Sequence, residues 1–147
     1  MGGKFFFLFR ESCGIDLGNF YIVTGGHDGS DTGVLKGVSK YSPTGWLEDL
    51  GHLNFARRAH ACSHYWDEDG GLVLLVTGGR DSEEKSLVST EVSSDLGASW
   101  SLKSSAALPV GISYMAAVTY NNKVYIFGNF RDFGNVMIHS DHQNRWD

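Results

Sequence analysis

Leu72-Val73-Leu74-Leu75-Val76-Thr77-Gly78-Gly79 is a charge-free run that ends in a glycine doublet. A half-buried strand alternates apolar and polar residues, whereas one covered on both faces is apolar throughout. Glycines at its end let the backbone bend close to its neighbours. The phrase recurs as Phe20-Tyr21-Ile22-Val23-Thr24-Gly25-Gly26 and as Lys123-Val124-Tyr125-Ile126-Phe127-Gly128-Asn129, with Asn in the second glycine's place. The first glycines are 78 − 25 = 53 and 128 − 78 = 50 residues apart. A period of that length marks a repeat architecture.

Tryptophan recurs in phase. Trp46, Trp100 and Trp146 follow the first glycine by 21, 22 and 18 residues. Counting from these markers places Cys13, Cys62 and Ala116 at one repeat position, with a four-residue insertion near 66–71 in the second unit. Each unit reads as four short strands. The first is small and apolar (12–17, 59–65, 113–120), and the second is the run before the glycines. The third covers 34–41, 87–93 and 135–140, and the fourth starts near Trp. Gly, Asn and Asp turns separate them, and no stretch holds a 3.6-residue apolar period over helix length. Trp fills the wedge between sheets, with the small residue of the first strand beside it. On this reading Cys13 and Cys62 are buried thiols in different units rather than a disulfide or a metal site.

A period near 50, a GG doublet and a Trp about twenty residues later resemble the kelch repeat of β-propellers. Arg57-x-x-His60 and Ser89-Thr90-Glu91-Val92 also resemble the kelch pattern, with Gly111 and Tyr114 in the third unit at the positions of Arg57 and His60. The expected fold is all-β, an incomplete kelch-type propeller of four-stranded antiparallel blades. Residues 1–11 form an unassigned N-terminal segment, and 12–147 the repeats, with blades at about 12–53, 54–107 and 108–147. Closed propellers take roughly 4–8 blades, so the remaining blades are expected to be missing or supplied by another chain.

Twelve basic against 17 acidic residues give a net charge of −5. That balance argues against a nucleic-acid partner, which needs a positive surface. The Phe5–Phe9 run, closed by Arg10 and Glu11, is too short for a signal peptide or a membrane span. A cytoplasmic location is favoured, with secretion left open.

Ser93-Ser94-Asp95-Leu96-Gly97-Ala98-Ser99-Trp100 resembles the Asp box of sialidases. In that box Ser and Asp brace a turn, Gly supplies a positive φ and Trp anchors the hairpin. A structural turn is expected here. Asp67-Glu68-Asp69-Gly70 starts like a calcium loop but has Gly78 where the bidentate glutamate belongs, so it reads as a hairpin tip. His139 and His142 would face opposite ways on a strand, and no metal or cofactor is expected.

The resemblance implies a non-catalytic protein-binding module, a scaffold or adaptor, whose partner meets the loops at one rim. Candidates on the loops after the glycines are His27, Asp28, Arg80, Asp81, Arg131 and Asp132. Those on the loops after Trp are Asn54, Arg57 and Arg58. Arg57 and Arg58 lead, since arginine suits carboxylate recognition and is enriched at hot spots. For the Asp residues, bracing of the turn stands equal to binding. The alternative is part of a glycan-active or oxidase-type propeller enzyme.

Overall fold

A computed structural model describes residues 10–31, 33–45, 47–128, 136–140 and 145–146, with backbone alone at 136–140 and 145. Trp46, Arg131, Asp132, Asp141 and His142, and the His139 side chain, lie outside the described residues.

The chain is all-β. Sheet 1 consists of β1 (Cys13–Asp16), β2 (Tyr21–His27), β3 (Val34–Tyr41) and β4 (Leu47–His52). Sheet 2 consists of β5 (Ala61–Trp66), β6 (Leu72–Thr77), β7 (Thr90–Ser93) and β8 (Ser101–Leu102). Sheet 3 consists of β9 (Ala116–Tyr120), β10 (Lys123–Phe127), β11 (Val136–Ser140) and β12 (Arg145–Trp146). Each is an antiparallel meander with its strands in sequence order. A single 3₁₀ turn at Ser104–Ala106 is the one helical segment among the described residues. β1 packs beside β5 and β5 beside β9, so the sheets adjoin along their first strands in the manner of propeller blades.

The apolar run that opened the reading lies where that reading needs it. Leu74 and Val76 pack with Ile15, Ile22, Val38 and Trp100 in the core between sheets 1 and 2. Val73 and Leu75 pack with Tyr65, Ile112, Val124, Ile126 and Trp146 in the core between sheets 2 and 3. Alternate residues of β6 thus enter different cores, and a polar residue on either face would be stranded.

The glycine doublet is a packing requirement. A Cβ on Gly25 (φ +57°) would stand 2.4 Å from the Arg57 carbonyl oxygen, and one on Gly78 (φ +62°) 2.7 Å from that of Ile112. One on Gly26 would crowd Arg10 and Ser12, and one on Gly79 would crowd Arg58 and His60. The first glycine therefore abuts the loop of the next sheet, and the second abuts the segment leading into its own sheet's first strand. Gly25→Ala is expected to cost about 2 kcal/mol or more. Gly14→Ala, with open space around its Cβ and ordinary φ, should leave the urea midpoint nearly unchanged.

The repeat phase in the second unit differs from the sequence reading by one residue. Thr24, Thr77 and Phe127 each precede a first glycine and pair with Cys13, Ala61 and Ala116. Cys62 lies one residue further on. The second unit is longer by five residues, not four, since 78 − 61 = 17 against 25 − 13 = 12. Ile112 and Met115, not Gly111 and Tyr114, therefore match Arg57 and His60. Adjacent strand residues point to opposite faces. Cys13 consequently faces sheet 2 while Cys62 faces sheet 1, and the two form a disulfide with a Cα–Cα distance of 5.9 Å. Had both held one repeat position, both would face the same way and could not meet. The reading as separate thiols is corrected accordingly.

Candidate functional site

Two of the candidate loops, those of Arg58 and Arg80, adjoin at sheet 2. Arg58 and Arg80 exchange backbone hydrogen bonds, Arg58 N–H to Arg80 C=O at 3.0 Å and the reverse at 2.8 Å. Arg10 and His27 make the same exchange in sheet 1. The loop after β6 is thereby locked to the loop before β5.

Arg57, the leading binding candidate, is not at the surface. Its side chain is fully buried, as is that of Glu91, and Nη2 lies 2.8 Å from Glu91 Oε1. The guanidinium also donates to the Gly78 and Ser89 carbonyls and to Ser89 Oγ. Glu91 accepts hydrogen bonds from Arg57, Phe55 N–H, Asn54 N–H and Asn54 Nδ2. Burial lowers the Arg57 pKa, and the adjoining Glu91 charge opposes that shift. The Arg57 carbonyl accepts from Gly26 N–H at 2.8 Å. One residue thus grips the glycine corners of two sheets. Asn54 is committed to the same network, with Nδ2 also donating to the Trp100 carbonyl.

His60 lies beside this pair, buried, with Nε2 2.8 Å from Thr24 Oγ1. Burial, reinforced by the nearby Arg57 charge, pushes its pKa down to about 3. The folded state therefore holds His60 neutral, while the unfolded chain takes up a proton near pH 6.5. The stability it contributes is complete above pH 6.5 and is lost as pH falls towards 3. Between pH 7 and 4.5 that loss is about 2–3 kcal/mol for one proton. Urea midpoints across this range should fall in the wild type and flatten in His60→Gln.

Arg58 does reach the rim, and it arrives already paired. It donates to Glu11 and Glu84, with a long contact to Tyr114 Oη at 3.5 Å. Arg80 donates to Glu84 Oε2 at 2.9 Å and to Ser113 Oγ at 3.2 Å, and its guanidinium lies 5.3 Å from the Tyr114 ring centroid. Glu84 is held ionised, its pKa lowered chiefly by the Arg58 hydrogen bond. A carboxylate ligand at Arg58 would have to displace Glu11 or Glu84.

The aspartates brace turns. Asp81 Oδ1 accepts from Glu83 and Lys85 N–H, and Asp28 Oδ1 from Ser30 N–H and Oγ. His27 Nδ1 accepts from Gly29 N–H. Beside its exposed polar residues, such as Asn54, Glu83 and Lys85, the rim carries exposed apolar ones: Phe55, Val88, Val110 and Tyr114 are all 45% exposed or more. The sequence carries a faint signal for two of them, an apolar residue inside a loop tract, as in Asn54-Phe55 and Pro109-Val110-Gly111.

The Asp box is a turn, as expected. Ser93 Oγ accepts from Gly97 N–H at 2.9 Å and donates to Asp95 Oδ1. Asp95 accepts from Ser99 N–H and Oγ, and Trp100 Nε1 donates to the Gly97 carbonyl. Gly97 has φ +94°. The Asp67 tip closes likewise on Asp69 and Gly71 N–H. Among the described residues no group of three or more His, Cys, Asp or Glu could hold a metal ion. Among the same residues no helix is long and apolar enough to cross a membrane. No family model matches the chain, and no curated protein matches it.

Proposed function

We propose that this chain is a protein-binding module of propeller type, contacting its partner through the loops that flank sheet 2. The observation that carries this reading is the set of exposed apolar side chains, Phe55, Val88, Val110 and Tyr114, on loops whose backbones are bonded into the sheets. Phe55 N–H is fixed by Glu91, and the Val88 carbonyl accepts from Leu108 N–H at 2.7 Å. Exposed apolar groups on a rigid support lose little freedom on binding, which favours affinity. The kelch resemblance points the same way. The Cys13–Cys62 bond favours an oxidising compartment over the cytosol.

The test is partner capture by the wild type compared with a Phe55→Ser/Val110→Ser variant. A partner should be retained by the wild type and by Trp66→Ser, at the opposite hairpin end, but lost from the double variant. Equal retention by all three, or turnover of a fluorogenic sialoside by the wild type, would overturn the reading.

A further inference from the structure

Sheet 2 is covered on both faces, while the outward faces of sheets 1 and 3 are open among the described residues. The strand registers show what each open face corresponds to. Tyr120 stands where Tyr65 does, and Val118 where Ser63 does. Tyr65 is 1% exposed beneath sheet 3, whereas Tyr120 is 65% exposed, with Val118 at 49% and Phe127 at 43% on the same face. At the other end, Tyr21 stands where Leu74 does. Leu74 is fully buried against sheet 1, whereas Tyr21 is 41% exposed and its cross-strand neighbour Tyr41 is 42% exposed.

A chain of backbone hydrogen bonds crosses from sheet to sheet. Tyr114 N–H donates to the Ala59 carbonyl, and Ala59 N–H to the Glu11 carbonyl, each at 2.8 Å. All three residues adopt the left-handed conformation, with φ of 57°, 50° and 57° for Tyr114, Ala59 and Glu11. They occupy one repeat position, two residues before Ala116, Ala61 and Cys13. The next links at either end would use the Tyr114 carbonyl and Glu11 N–H.

We propose that two copies of this chain associate head to tail, the open face of sheet 3 in each resting on the open face of sheet 1 in the other. Val118, Tyr120 and Phe127 then meet Tyr21 and Tyr41, and Glu11 N–H donates to the Tyr114 carbonyl of the other copy. The occupant is a second copy because each open face requires what the chain carries at its other end. Sheet 3 calls for a sheet whose incoming face matches that of sheet 2, and sheet 1 presents that face in the same register. The three sheets of the described residues, taken twice, make six, within the roughly 4–8 of closed propellers. A two-fold axis closes the ring and leaves neither face exposed.

Sedimentation equilibrium on the full chain should give twice 16.1 kDa. Val118→Asp damages both contacts of the ring and should weaken association by about 100-fold or more, because it buries an unpaired charge. Leu102→Asp, on β8 and equally exposed at 49%, should leave the dimer intact. Tyr21→Asp damages the opposite face. Mixing it with Val118→Asp should restore a dimer through one undamaged contact, a result that requires both variants to be folded and the contact to be head to tail. A monomeric wild type, an open polymer, a dimer that survives Val118→Asp, or a mixture that stays monomeric overturns the proposal.

Discussion

Glu91→Ala is expected to lower the free energy of unfolding by about 3–5 kcal/mol, the usual cost of leaving one buried charge without its partner. Arg57 would keep its carbonyl contacts but lose its counter-charge, since both side chains are fully buried. Asn54 and Phe55 N–H would lose their acceptor as well. Arg57→Ala should fall in the same range, because the Glu91 carboxylate would then be unpaired. Arg57→Met/Glu91→Leu should be milder than either single change, since desolvation of the two charges disappears with them. Its recovery should remain partial, because the Asn54 and Phe55 donors still lack an acceptor. Urea midpoints of the four proteins decide this. A Glu91→Ala loss below about 1 kcal/mol, as for a surface pair, would mean that the pair is not buried as described.

Cys13→Ser/Cys62→Ser is expected to cost about 4 kcal/mol, the loop-closure entropy for a bond spanning 49 residues. The bond joins first strands of neighbouring sheets, so its removal frees sheets 1 and 2 from each other in the unfolded chain. Reduction of the wild type should reproduce the loss, and reductant should leave the double variant's midpoint unmoved. A thiol titration in denaturant offers the direct check. Two reactive thiols in the unreduced protein would show that the bond does not form.

Much of the fold was legible because it is written locally and three times over. The apolar runs gave β2, β6 and β10, and Trp100 and Trp146 lie in the cores between sheets. The Asp95 turn was readable because all its bonds fall within Ser93–Trp100. The rim was legible only in part. Arg58 and Arg80 do adjoin, but their carboxylate partners were not foreseen: Glu11 lies 47 residues and Glu84 26 residues from Arg58.

By itself, then, the sequence determined that this chain is a β repeat with glycine corners, since strand burial and turn conformation depend on residue types a few positions apart. Only the tertiary structure decided which way individual side chains face. Spacing in the second unit was compatible with an insertion of four residues or five, and side-chain direction inverts with every residue of a strand. One position of phase therefore separates two isolated thiols from a disulfide. The same holds for Arg57, whose place in the core rests on Glu91, 34 residues away. An arginine is left inside only where folding delivers a charge and carbonyl oxygens to meet it, and no local spacing encodes that meeting.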